Sequence, residues 1–210
     1  MSQWTNQNQL FISLPEDVLL AITAYGEAAS DGPEGMHAVL SVIKNRTYFN
    51  EFQDKEILGL SGSVYRAVVL KYKQFSMFNP NTTSRAIAER MAINFDSEVY
   101  NNETLAKAYD LAQMLMSGIW DDSTGGATYY HATYVSPSWA SGYQLTGQIG
   151  NQLFYADKSI PSSTFTAGFG NLGNLVGLGE ISEIPITGLI FMGMAVGLGY
   201  EIIKRRKLGG

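Results

Sequence analysis

From Leu14 to Arg46 the apolar positions fall at helical spacing on either side of one polar break. Val18, Leu19, Ile22, Tyr25, Gly26 and Ala29 recur along one stripe, and Val39, Val42 and Ile43 along a second that closes at Asn45 and Arg46. Pro15 suits a first helical turn, and Glu16 and Asp17 beside it complement the positive end of the helix. Ser30-Asp31-Gly32-Pro33 is a run of turn residues. The pattern predicts two helices joined by a tight turn. Glu27 falls near the end of the first, next to Gly26, Ala28 and Ala29. These small neighbours leave space above a carboxylate, as a catalytic acid needs if a bulky ligand is to reach it.

The rest of the chain divides by its periodicity. Residues 1–13 are polar and rich in Gln and Asn, which predicts a loose arm with Leu10 to Ile12 tucked against the domain. Residues 51–60 form a short helical or turn segment. Ser63 is placed to cap a helix carrying Val64, Ala67, Val68 and Leu70. Residues 71–80 are irregular and aromatic, and a helix runs from Thr82 or Thr83 through Ala92. A longer one opens at Asn101-Asn102-Glu103, with Leu105, Ala108, Leu111, Ala112, Leu115 and Ile119 as its apolar stripe.

Past Trp120 the period changes. Asp121 to Gly126 is a turn cluster, and residues 127–135 and 142–155 alternate and are rich in Thr and Tyr, as strands are. The fold class is therefore α+β, mainly α, with a small aromatic β flap. Flat rings with polar tips suit sugars, which present C–H faces and hydroxyl edges, so Tyr130, His131 and Trp139 are candidates for a sugar-stacking wall.

Residues 158–183 read as a linker of Gly, Ser, Thr and Asn. Ile184 to Tyr200 is 17 residues without a charge, and Lys204-Arg205-Arg206-Lys207 follows. A membrane span needs about 20 apolar residues, and a basic cluster after it is an orientation signal. The pattern predicts a C-terminal transmembrane helix over 184–203 with a basic tail over 204–210. Gly193 and Gly197 form a G-x-x-x-G pair that would allow homo-oligomers through this helix.

Composition removes several function classes. No cysteine is present, which excludes a disulfide framework, a thiolate zinc site and a Cys nucleophile. Only His37 and His131 are available as imidazoles, so neither a metal nor another cofactor is expected. Residues 1–160 carry 16 acidic against 10 basic side chains, which gives no basic footprint for nucleic acid. The first residues lack the basic and apolar regions of a signal peptide.

A lone Glu is ordinarily a solvated helix residue, but the sequence around Glu27 is more specific. Tyr25-Gly26-Glu27-Ala28, a G-x-x-A-V pattern from Gly35 and then Asn45-Arg46 resemble the SleB/CwlJ-type cell wall hydrolases, the spore cortex-lytic enzymes and their phage relatives. The resemblance continues, in order, in Gln74-Phe75-Ser76, in Thr124-Gly125-Gly126-Ala127-Thr128-Tyr129-Tyr130-His131, in Pro137-Ser138-Trp139-Ala140 and in Ile149-Gly150-Asn151-Gln152-Leu153-Phe154-Tyr155. It departs at Gln152, where the family usually carries His.

The resemblance implies a lysozyme-like, lytic transglycosylase-like catalytic domain over residues 14–157, with peptidoglycan as substrate. It implies Glu27 as the catalytic acid, and Gln74, Phe75, Ser76, Thr128, Tyr130, His131 and Trp139 as substrate-binding residues. A two-carboxylate hydrolase needs a second acid about 5–9.5 Å away. Asp31, Asp121 and Asp122 are available, but none lies in a family motif. The expectation is therefore a single-carboxylate lytic transglycosylase. A water-using muramidase or an endopeptidase on the same scaffold, and a non-catalytic wall-binding protein, are the alternatives. Joined to the expected anchor, such a domain suits the virion membrane of a phage or otherwise the bacterial envelope.

Overall fold

The computed structural model describes residues 1–157. Two helices of the expected pair, α3 (Glu16–Ala28) and α4 (Gly32–Arg46), form its centre. They are joined by a 3-10 turn, Ala29–Asp31, and by Gly32 at φ 71°. Ahead of them stand α1 (Gln3–Gln7) and α2 (Gln9–Ser13). After them come α5 (Lys55–Ser61), α6 (Val64–Val69), α7 (Thr83–Ile93), α8 (Phe95–Asn101) and α9 (Glu103–Met116). Helix α3 packs against α4, α6, α7 and α9, so residues Val18 to Ala24 are all buried rather than one stripe alone.

Caps explain where several helices begin. Asp54 accepts from the amides of Glu56 and Ile57, Ser63 from Arg66, Thr82 from Arg85 and Asn102 from Leu105. Asn102 also donates to the Tyr25 hydroxyl at 3.0 Å, tying the start of α9 to the turn of α3 that carries Glu27. Leu105, Ala108, Ala112 and Leu115 are buried as the stripe predicts. Ile119 is 44% exposed, because α9 ends at Met116 and the chain turns at Gly118, φ 79°. Helix α8 was not anticipated: its apolar residues, Phe95 and Val99, only border the core.

The first thirteen residues are not a loose arm. Thr5, Asn8 and Phe11 are buried, and the Trp4 indole donates to the Leu70 carbonyl at 2.6 Å. The residue that fixes them is Arg85 of α7. Its guanidinium donates to Asn8 Oδ1 (3.1 Å), the Phe78 carbonyl (2.7 Å) and the Gln7 carbonyl (2.5 Å), and it pairs with Glu89 (2.8 Å). It also lies 5.2 Å from the centre of the Phe11 ring. A polar, Gln-rich sequence is ordered here because the Gln7 carbonyl and the Asn8 side-chain oxygen satisfy a buried cation.

Three strands form an antiparallel sheet in the order β1-β3-β2, with β1 at Tyr129–Ala132, β2 at Gln144–Ile149 and β3 at Gln152–Ala156. Partners across β1 and β3 are Tyr129 with Tyr155, Tyr130 with Phe154, His131 with Leu153 and Ala132 with Gln152. One face rests on α4: Phe154 and Ala127 pack with Ala38 and Val42, and Tyr130 and Ile149 border that cluster. The sheet is a lid on the helix α4, whose other sides meet α3 and α9.

The expectation of a transmembrane helix in the fold is corrected. Among the described residues no helix is long and apolar enough to cross a membrane. The longest, α4, has 15 residues, short of the roughly 20 that a span requires. The segment 184–203, with Gly193 and Gly197, lies outside the described residues, as do the linker and the basic tail. A membrane anchor, a lipid partner and a virion-membrane or envelope-membrane location are therefore without structural support and are not carried further.

Replacing Arg85 by Met keeps its length and removes its donors. Three acceptors near the core are then left short, and a buried unpaired acceptor costs about 1–3 kcal/mol. We expect Arg85→Met to lower stability by about 2–4 kcal/mol in urea unfolding. A change under ~0.5 kcal/mol, the range of ordinary surface substitutions, would contradict this account of the N-terminal helices.

Candidate active site

Glu27 sits in the last turn of α3. The residue as a whole is half-buried, but its Oε1 has no solvent-exposed surface and no hydrogen-bond partner. Its Oε2 accepts from the Tyr130 hydroxyl at 2.9 Å. Burial pushes the carboxyl above the ordinary range for Glu. The Tyr130 hydrogen bond, the charge of Arg46 and the Ser76 amide pull the other way without cancelling it. The apolar setting is thus supplied mainly by residues distant in sequence rather than by the small neighbours of Glu27. A cavity of about 320 Å³ opens beside it, lined by Tyr25, Glu27, Ser30, Met77, Ile87 and Met91.

The Gln74-Phe75-Ser76 segment leads into Met77, whose side chain lies over Gly26 beside Glu27. A Cβ at Gly26 would collide with the end of the Met77 side chain. The segment presents the Ser76 amide to the carboxyl. Phe75 is buried and Gln74 accepts from Arg46 Nη1 at 2.7 Å. Gln74 and Phe75 therefore hold this wall of the cleft in place from behind.

Arg46 is the other wall's anchor. It is buried, donates from Nε to the Thr128 carbonyl at 2.7 Å, and lies between the rings of Phe52, Phe75 and Tyr130 at 5.2, 5.5 and 5.9 Å. Its neighbour Asn45 donates to the Ala127 carbonyl at 3.0 Å and to Asp122 at 3.2 Å. The last turn of α4 therefore grips the chain where it enters β1. Thr128 is buried and takes part through its carbonyl.

The aromatic residues of the flap do not form one wall. Strand alternation puts Tyr130, Phe154 and Gln152 on the face toward Glu27 and α4, and Tyr129, His131, Leu153 and Tyr155 on the other. Trp139, from the 3-10 turn Ser138–Gly142, packs on that other face against Tyr129, His131, Tyr143 and Tyr155, at centroid distances of 5.5, 5.5, 5.9 and 5.5 Å. The His131 ring stacks on Tyr155, with Nε2 3.0 Å from its hydroxyl and Nδ1 2.9 Å from the Ala132 carbonyl. The structure brings Tyr130 and Ser76 to the Glu27 carboxyl, and leaves His131 and Trp139 beyond the sheet.

The remaining acids are engaged. Asp122 accepts from the Thr124 amide (2.8 Å), the Thr124 hydroxyl (2.6 Å) and the Gly126 amide (2.6 Å), shaping the turn into β1 as expected. Asp121 is exposed. Asp31 accepts three hydrogen bonds from Asn151 and Gln152, and the Gln152 amide also donates to the Glu27 carbonyl at 3.2 Å. Sequence reasoning did not single out Asp31 as a partner of the hairpin, nor Arg46 as a neighbour of Glu27. The Asn45-Arg46 pair was visible, but nothing local said what it would bind. A larger cavity of about 500 Å³, lined by Glu34, His37, Leu111, Ser123 and Ile149 among others, lacks Glu27. Its acid Glu34 is exposed, and His37 is tied to Ser123 at 2.9 Å and stacked on Trp120 at 4.1 Å.

A mostly helical α+β body with a three-stranded lid carries a half-buried acid at a cleft, an arrangement consistent with a lysozyme-like domain. The chain belongs to the cell wall hydrolase family, whose profile matches residues 30–155; Glu27 lies just ahead of the matched stretch. Membership makes it a peptidoglycan-degrading enzyme. Among solved structures it is similar to the catalytic domain of the Bacillus cereus SleB protein, at 25% identity over 67% of this chain and 89% of that one, with a TM-score of 0.43. No curated protein gives a significant match.

Tyr130→Phe removes the hydroxyl that favours the ionised carboxyl of Glu27. The carboxyl should then titrate at a higher pH than in the parent, followed by NMR of the side-chain carbon. A lower or unchanged titration point would show that the Tyr130 hydroxyl does not act on it.

Proposed function

We propose that this enzyme cleaves the glycan strand of peptidoglycan as a lytic transglycosylase, with Glu27 as both acid and base. The observation that carries the reading is the state of the Glu27 carboxyl. One oxygen accepts from Tyr130, the other is buried, the Ser76 amide faces the carboxyl, and among the described residues the charge that acts on it is the cation of Arg46. Among the described residues the nearby acids Asp31 and Asp122 are taken up by hydrogen bonds to the hairpin and to the turn into β1, which favours a single-acid route over a two-acid hydrolase.

In this reading the strand lies in the cleft formed by Tyr25, Ser30, Met77 and Ile87. Glu27, whose protonated form burial favours, gives its proton to the glycosidic oxygen as the C1–O4 bond breaks. The carboxylate so formed is held by Tyr130, the Ser76 amide and Arg46. It then takes the proton from the C6 hydroxyl of the same muramic residue as that oxygen bonds to C1. The sum is one glycosidic bond exchanged for an internal glycosidic bond, the 1,6-anhydro bridge. Water is not consumed, and Glu27 ends protonated as it began. Gln74, Phe75 and Thr128 support the walls in this reading. His131 and Trp139 would meet only a strand that runs past the sheet's far face.

The test is Glu27→Gln with product analysis of the parent. Gln fits the space and cannot deliver a proton, so wall cleavage should fall by at least ~10²–10⁴ with the fold retained. Products of the parent should carry 1,6-anhydromuramic ends and no oxygen from labelled water. Labelled reducing ends would show a muramidase, and new amino groups on intact glycan an endopeptidase. Wall binding without any cleavage by the parent would leave a binding protein.

Stability gives an independent check on the acid. A Glu whose folded pKa is raised opposes folding above its unfolded value, and the effect sets in as pH rises through the raised pKa. Below the unfolded pKa both states are protonated and the effect vanishes. Glu27→Gln should therefore melt at the same or a higher temperature than the parent at neutral pH, with that advantage disappearing toward pH 4. A variant that melts lower at neutral pH alone would contradict a raised carboxyl.

A further inference from the structure

Asp31 lies four residues beyond Glu27, past the end of α3. Its Oδ1 accepts from the backbone amide of Asn151 and from the Asn151 side-chain amide, both at 3.0 Å, and its Oδ2 from Gln152 Nε2 at 3.4 Å. Two glycines make the space it occupies. A Cβ at Gly150 would stand 2.7 Å from the Asp31 Cβ, Cγ and Oδ1, and a Cβ at Gly35 would collide with the Asp31 Cβ. Gly150 also takes φ 56°, as the first central residue of the two-residue turn between β2 and β3 requires. Side chain, turn and slot fit one another, so the contact is specific to this hairpin and this helix junction.

The gripped residues lead straight to the acid. The Asn151 carbonyl accepts from the Thr133 amide at 2.8 Å, at the end of β1. Gln152 begins β3, which pairs with β1 through Phe154 opposite Tyr130. The same Gln152 amide that reaches Asp31 donates to the Glu27 carbonyl at 3.2 Å. Arg46 and Asn45 hold only the entry of β1, at Thr128 and Ala127. Asp31 holds its far end.

We propose that Asp31 is a positioning residue, a latch that clamps the Gly150–Asn151 turn to the end of α3 and so keeps Tyr130 on the Glu27 carboxyl. This rests on the reading of Glu27 as the reacting acid. It also gives Asp31 a function other than a second catalytic carboxylate, since three N–H donors already occupy its oxygens.

The experiment compares Asp31→Ala, Asp31→Asn and Gly150→Ala with the parent and with Glu27→Gln. It reads kcat and KM on soluble glycan strands, the Glu27 titration, and hydrogen exchange at the Asn151 amide. Asp31→Ala should lower kcat about 10- to 100-fold, the range for a small misplacement of a reacting group, with KM changed much less. Its Glu27 should titrate higher, as in Tyr130→Phe, and its Asn151 amide should exchange faster. Gly150→Ala, which drives the Asp31 side chain from its slot, should reproduce this. Asp31→Asn keeps one acceptor and should fall between parent and Asp31→Ala. It carries the comparison if Asp31→Ala does not fold.

Parent-like kcat and an unmoved Glu27 titration in Asp31→Ala would overturn the latch. So would an Asp31→Asn as inactive as Glu27→Gln with its Asn151 amide still protected, because Asp31 would then belong to the chemistry. If Glu27→Gln itself stays active, the acid reading fails. The titration and the exchange data still decide whether Asp31 holds the hairpin.

Discussion

Everything at the cleft depends on how the end of α4 holds the start of the sheet. A guanidinium buried among Phe52, Phe75 and Tyr130 would be costly without full satisfaction. Arg46 obtains it from the Thr128 carbonyl and from Gln74. These two acceptors belong to opposite walls of the cleft. One residue therefore sets the spacing between the segment that offers the Ser76 amide and the strand that offers the Tyr130 hydroxyl. Asn45 repeats the arrangement one residue earlier, on Ala127 and Asp122.

The electrostatic result is a carboxyl under two opposed influences. Burial favours the protonated form, whereas Tyr130, Arg46 and the Ser76 amide favour the ionised one. The cation contributes without touching the carboxyl, across the Tyr130 ring. The aromatic side chain is thus both a hydrogen-bond donor to the acid and a spacer between opposite charges.

Much of this was legible in the sequence where local rules govern. The α3–α4 pair, the caps at Ser63 and Thr82, and the alternation at 129–132 follow from periodicity and turn chemistry. The family motifs imply Glu27 with Gln74, Phe75, Ser76, Thr128, Tyr130, His131 and Trp139, and of these seven Ser76 and Tyr130 meet the Glu27 carboxyl. What stayed hidden was long-range and polar. Residues 1–13 read as loose because their order comes from Arg85, some seventy positions away. The aromatic flap read as one wall because composition does not say which face each ring takes; alternation about Tyr130 divides it. The charge-free run at 184–200 matched a membrane pattern by composition, and no helix among the described residues has that length and apolarity.

The strand order has a further consequence for when the site exists. Among the described residues strand β1, which carries Tyr130, pairs with β3 alone, and β3 ends at Ala156. The residues that surround Glu27 span more than a hundred positions, with the helical body complete long before the sheet closes. During synthesis the chain therefore emerges with its acid in a half-built cleft, lacking both the Tyr130 contact and the Gln152 contact. A nascent chain, or a fragment cut anywhere before β3, holds Glu27 as an ordinary helix-end carboxylate. Glu27 acquires its Tyr130 and Gln152 contacts only once residues 152–156 have left the ribosome and taken their place between the other two strands.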